Sequence, residues 1–320
     1  MSTDERSELR GTVLDGLYRI GPAIGVGGTS VVFESTRLTD GATVVVKTLR
    51  PMFAHHADLE RRLRREAEVA RRVPHPGIVP VRDVGLLPDG SPYIVLERMH
   101  SESLSRLLRR RGLLEPDEAA AIGLRLASIL HSVHQAGYVH RDLKPEHVLL
   151  DRTEGGALRV SVLDFGVCAS ESAPLDEKDR ERGRVFGTPS YVSPEQAGGN
   201  PDVDARADLY GLGVTLYESL TGELPFSASS VSALLRRILR EEAPRVSHRM
   251  AGIPRVLDEV VAGLLRREKD HRFPSARAVG RALAPAVADR LAVERRLAQS
   301  LQVGAEAPEG VPTAEMVVAA

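Results

Sequence analysis

From Tyr18 the apolar residues alternate or gather in short runs bounded by glycine, the pattern of β-strands. YRIGPAIG (18–25), SVVFEST (30–36) and GATVVVKTL (41–49) predict three strands rich in valine and isoleucine, the last two joined by a hairpin at Asp40-Gly41. ADLERRLRREAEVARR (57–72) predicts an arginine-rich helix, with Pro74 and Pro76 as stop signals. Short strands are expected again over 78–84 and 93–96. After Glu97-Arg98-Met99 the period lengthens to that of helices: one over 103–112, then a long one from Pro116 to Gly137. Apolar runs at 148–150 and 158–163 suit a hairpin, and ARADLYGLGVTLYESLTG (205–222) suits a buried helix ended by Gly222. The chain thus reads as α+β, with a small sheet-rich lobe over about 17–98 and a larger, mainly helical lobe over about 99–284. Residues 1–16 carry no periodic apolar pattern and are expected to form a short mobile leader. Residues 285–301 suit an extra helix, and 302–320, with three glutamates and no basic residue, a disordered tail.

Composition narrows the classes of function. Forty-three basic against 44 acidic side chains give a net charge of −1, which argues against a bulk binder of nucleic acid or of membrane surfaces. No window approaches the roughly 18 apolar residues of a membrane span. The single cysteine, Cys168, excludes an intrachain disulfide framework and a cysteine zinc site, and points to a cytoplasmic location. Only Lys47, Lys144, Lys178 and Lys269 are lysines, and Asn200 is the one asparagine. A chain that otherwise writes arginine keeps lysine where a compact, flexible ammonium is needed.

Two of those lysines lie near candidate chemistry. Gly25, Gly27, Gly28 and Ser30 form a G-x-G-x-x-S string followed by a strand rather than a helix. Such a loop is either an ordinary glycine-rich hairpin turn or a flap whose backbone N–H groups cover phosphates; it is not a dinucleotide fingerprint, which needs a helix there. Lys47, after three valines, either reaches solvent or meets anions, phosphates and Glu66 being the candidates. Asp142 and Lys144 lie two residues apart in HRDLKPEH, and Asp164 ends an apolar strand in DFG. Either acid alone suits a turn; Asp164 also suits a magnesium ligand.

Taken in order, the glycine loop, Val44-Val45-Val46-Lys47, Glu66, His75-Pro76-Gly77, HRDLKPEH, DFG, Gly187-Thr188-Pro189, Ser193-Pro194-Glu195, Asp208 and Arg272 resemble the bacterial eukaryotic-like Ser/Thr protein kinases from Tyr18 to Ala284. The resemblance implies the two-lobed protein kinase fold. It also implies that Lys47 holds the α- and β-phosphates of ATP and pairs with Glu66. Asp142 would accept or orient the substrate hydroxyl proton, Lys144 would contact the γ-phosphate, and Asp164 would bind Mg²⁺. The adenine would lie between the lobes at the backbone of Glu97 and Met99, with Leu96 as gatekeeper and Val32, Val45 and Leu149 around the ring. Glu195 would pair with Arg272, and Asp208 would anchor the HRD backbone. Partners implied are protein substrates bearing Ser or Thr, with a regulatory protein supplying input.

Three positions depart from the family's pattern. Ser30 replaces the third glycine of the flap. His147 replaces the asparagine that supplies a second metal contact; an imidazole there would favour Mn²⁺ over Mg²⁺ and lose activity below about pH 6.5. No Ser or Thr lies between Lys178 and Phe186, so Asp179 or Glu181 is expected to face Arg141 in place of an activating phosphate. Three readings follow: an active Ser/Thr protein kinase, an ATP-binding pseudokinase or scaffold weakened by His147, and a small-molecule kinase. The segment at 187–191, typical of peptide-positioning loops, disfavours the last.

Overall fold

A computed structural model describes residues 6–170, 183 and 185–302. Six antiparallel strands form the N-terminal lobe: β1 (Val13–Leu14), β2 (Tyr18–Val26), β3 (Ser30–Arg37), β4 (Thr43–Leu49), β5 (Val81–Leu86) and β6 (Pro92–Glu97), in the spatial order β1-β2-β3-β4-β6-β5. The valine run of β4 is explained by burial on both faces. Val44 and Val46 join Tyr18, Ile20, Phe33 and Tyr93 in an outer cluster. Val45 and Leu49 face the inner side with Leu59, Leu63 and Ala67 of helix α1 (Ala57–Arg72). The same alternation turns Lys47 toward α1.

Two expectations give way here. The leader is anchored from Arg6 onward, because Leu9 and Leu14 complete the outer cluster although they follow no period. Arg6 is buried, donating through Nε to the Leu49 carbonyl at 2.8 Å and through Nη1 to Asp89 at 3.0 Å. The strand expected over 78–84 begins at Val81; Ile78 instead makes an isolated parallel bridge to Val162 of the other lobe. The disordered tail expected over 302–320 lies, apart from Gln302, outside the described residues.

The larger lobe is built on α3 (Pro116–Gln135) and α5 (Arg206–Thr221), preceded by β7 (Glu102–Ser103), α2 (Leu104–Arg111) and, between α3 and α5, the short α4 (Pro194–Ala197). From Ala207 to Leu220 every residue of α5 but Glu218 is buried, as apolar residues on all sides of the helix demand, and Asp208, Thr215 and Ser219 are buried with them. The short strands β8 (Tyr138–Val139) and β11 (Ala169–Ser170) pair with each other, and β9 (Val148–Arg152) pairs with both β7 and β10 (Leu158–Val162). Helices α6 (Val231–Arg240), α7 (Arg255–Leu264), α8 (Ala276–Leu283) and α9 (Arg290–Ser300) complete the lobe. The architecture is a two-lobed α+β fold. Among the described residues no helix is long and apolar enough to cross a membrane.

Candidate active site

Between the lobes lies a cleft of about 780 Å³, counting the space open to solvent, within the range of small-molecule sites. Gly25, Gly27, Ser30 and Val32 form one wall, and Val45, Leu96, Glu97, Met99 and Leu149 line it further in. Gly28 does not line it: it is exposed at the tip of the β2–β3 turn, with its carbonyl accepting from Arg50 at 3.1 Å. Ile24, Val79 and Leu163 also line the cleft and were not anticipated. Ile24 and Leu163 each precede a residue that was singled out, Gly25 and Asp164, so adjacency was the available signal.

At the inner end, Lys47 Nζ donates to both oxygens of Glu66, at 2.7 and 3.0 Å, and lies 3.6 Å from Asp164. Burial works against the ammonium, but Asp164 and Glu66 hold its pKa above the ordinary value, so it stays charged. Burial likewise opposes ionisation of Asp164, yet Lys47 and His147 hold its carboxyl well below the usual range. Glu66 is pushed by burial up to about 7 against the pull of Lys47. One cation thus serves two acids, and Glu66 is the first of them to take a proton as the pH falls.

The HRDLKPEH segment follows β8. Arg141 and Asp164 adopt left-handed backbone, φ +67° and +61°, uncommon for residues with a side chain and costing of order 1–3 kcal/mol each. Asp208 of α5 holds the first of these turns: its carboxylate accepts from the backbone N–H of His140 at 2.8 Å and of Arg141 at 2.7 Å, and from His134 Nε2 at 2.8 Å. Burial alone would raise the Asp208 carboxyl, but these donors keep it below its ordinary value. The Asp142 carboxylate accepts from Lys144 Nζ at 3.1 Å and from the Thr188 N–H at 2.8 Å, and Lys144 also donates to the Thr188 hydroxyl. The loop at 187–191 is thereby tied to the Asp142–Lys144 pair. Its far end is pinned by Glu195, which accepts from Arg272 at 2.7 and 2.8 Å.

His147 is fully buried and its tautomer follows from its contacts. The carbonyl of Asp142 accepts from Nδ1 at 2.8 Å, so Nε2 carries the lone pair. Nε2 lies 3.7 Å from Asp164 Oδ2, too far for a hydrogen bond, and has no hydrogen-bond partner among the described residues. An orphaned nitrogen lone pair beside an ionised carboxylate fits a divalent cation that also takes phosphate oxygens. Burial drives the imidazole pKa down to about 4, so the loss of ligation expected below pH 6.5 does not arise from this ring. Cys168 is buried, and burial raises its thiol pKa well above the ordinary value, against a reactive thiolate. Asp179 and Glu181, expected to face Arg141, lie outside the described residues.

Comparison with known proteins agrees with this geometry. Residues 18–282 match the family model described as protein kinase domain. Over 231 residues, 70% of this chain and 34% of the relative, the sequence is 41% identical to a probable serine/threonine-protein kinase of Corynebacterium efficiens. It is 34% identical over 281 residues to the serine/threonine-protein kinase pkn3 of Myxococcus xanthus, covering 87% of this chain and 51% of that one. The serine/threonine-protein kinase PknB of Mycolicibacterium smegmatis is 37% identical over 262 residues, 81% of this chain and 41% of its own length. The chain therefore spans about a third to a half of the length of these curated relatives. A match that runs from the first long strand to the last helix before α9 makes this chain a member of the protein kinase domain family.

Proposed function

We propose that this chain transfers the γ-phosphoryl group of ATP to serine or threonine hydroxyls of protein substrates, the activity that its relatives' names carry. The observation that supports it best is the tie between Asp142, Lys144 and Thr188, at a cleft whose Lys47–Glu66 pair is already closed. Asp142 orients the substrate hydroxyl and receives its proton as the oxygen bonds to the γ-phosphorus and the bond to the ADP oxygen breaks. Lys144 faces the charge that develops on the transferring group, and Lys47 holds the α- and β-phosphates under the flap of Gly25, Gly27 and Ser30. Adenine stacks between Val32, Val45 and Leu149, and the backbone of Glu97 and Met99 reads its edge. Asp164 and His147 hold the divalent cation, Mg²⁺ with Mn²⁺ as the alternative. That ion neutralises phosphate charge when bound. The kinase unit runs over about 17–284, the activity belongs in the cytoplasm, as the single cysteine suggests, and another protein supplies the regulatory input.

The test is incubation of the purified chain with labelled ATP, Mg²⁺ or Mn²⁺ and a protein acceptor. Asp142→Asn is expected to lose at least 10²-fold in turnover, about 2.7 kcal/mol, with ATP binding retained. ATP bound without transfer in the wild type would support a scaffold instead, and phosphorylation of small molecules alone would support a small-molecule kinase.

A further inference from the structure

Helix α9 lies beyond the residues matched by the kinase family, yet its end is bonded to the strand that leaves the interlobe connection. Glu102 in β7 has a fully buried carboxylate. Its Oε1 accepts from Arg110 Nε at 3.2 Å, and its Oε2 from Arg110 Nη2 at 2.9 Å and from the backbone N–H of Gln302 at 3.0 Å. The same Nη2 donates to the carbonyl of Ser300 at 3.1 Å. Arg110 alone bonds both oxygens of Glu102; the end of α9 adds the Gln302 N–H as a third donor and gives Arg110 a second acceptor, so it ties this pair, and with it β7, to residues 300–302.

Strand β7 is short and its position matters to the cleft. Glu102 is registered opposite Leu150 and Ser103 opposite Leu149, and both Leu149 and Ser101 line the cleft. The helix is seated firmly enough to act as a reference point. Val293, Leu297 and Ala298 belong to the main core, and buried Glu294 accepts from Arg125 at 2.7 and 2.9 Å and from Arg290 at 2.8 Å.

We propose that the end of α9 positions the nucleotide site through Glu102, fixing β7 and with it the Leu149 face on which adenine stacks. Glu102 and Arg110 are positioning residues. This rests on the reading of the cleft as an ATP site, and it concerns binding rather than transfer.

The experiment uses the full chain and measures ATP Kd by titration, alongside melting temperature and, in the transfer assay, KM for ATP against kcat. Glu102→Met with Arg110→Met replaces buried Glu102 and its exposed partner together, so that no buried charge is left unpaired, while removing the link to residues 300–302. The expected result is a rise in Kd and KM for ATP of about fivefold with kcat within about twofold, because Lys47, Asp142 and Asp164 are untouched. A second variant, Glu294→Gln, loosens α9 at its middle, away from Glu102, and is expected to raise the ATP Kd in the same direction. Wild-type affinity in the folded variants overturns the proposal and leaves the pair a purely structural one. A chain that binds ATP but transfers nothing overturns the kinase activity alone, because the Kd comparison stands without turnover.

Discussion

A nitrogen donor at position 147 changes which cation suits the cleft. Magnesium prefers oxygen, whereas manganese accepts imidazole more readily, and the lone pair of Nε2 faces Asp164 with no competing partner among the described residues. Turnover with Mn²⁺ is therefore expected to exceed that with Mg²⁺. His147→Asn, which restores an oxygen, should raise the Mg²⁺ rate severalfold relative to the Mn²⁺ rate. Identical metal preference in the two proteins would remove His147 from the donor set. Residues of this kind were legible because their types and order are specific: a scarce lysine after valines, an acid and a lysine two apart, an acid before Phe-Gly. Glu102 was not legible, since a buried carboxylate and an exposed one look alike until the cation and the backbone N–H that face it are known.

Among the elements, the loop that follows Phe186 depends on one glycine. Gly187 has φ +102°, and a Cβ there would lie 2.8 Å from the Arg141 carbonyl and 3.4 Å from Asp142 Oδ1. The Gln196 side-chain amide donates to that same carbonyl at 2.8 Å, so the backbone has little room to retreat. Gly187→Ala combines left-handed strain with a clash, of order 1–3 kcal/mol, and should displace Thr188 from Asp142 and Lys144. Transfer is expected to fall about tenfold or more. ATP affinity, measured by titration, should not change, because the loop lies outside the Lys47 end of the cleft; a parallel loss of ATP binding would show a general disruption instead. Elements with a strong period were read correctly, and helix 57–72 occupies the residues its pattern marks. The strand expected from Ile78 was misplaced because an apolar residue bridging two lobes carries the same local signal as one inside a sheet.

The molecule as a whole is held around α5, and its acid stability should depend on Asp208. That carboxylate joins α3, the HRD turn and α5, and its folded pKa lies below the ordinary value of about 3.9 despite burial. A depressed carboxyl contributes stability above its unfolded pKa and loses it as the pH falls through the folded value. Melting curves of the wild type should therefore decline on the acid side, below about pH 4. Asp208→Asn should start about 3 kcal/mol less stable at neutral pH and decline less steeply toward acid. An equally steep acid limb in both proteins would assign the loss to other groups. The overall plan, a sheet-rich lobe before a helical one, was legible from the change of period at Glu97–Met99. The anchoring of residues 6–14 was not, because Leu9 and Leu14 pack singly onto a sheet whose other members come from later in the chain.

That anchoring bears on how the protein can be produced. The stretch that resembles other kinases begins at residue 18, but the covering of the outer sheet face begins at Arg6. Trimming to the matched stretch removes β1, strips Leu9 and Leu14 from the outer cluster and unpairs the start of β2 at Tyr18, Arg19 and Ile20. Unpaired backbone beside uncovered apolar surface is the usual template for sticking to another copy. A chain cut at the boundary of resemblance would thus invite aggregation while every catalytic group remained in it.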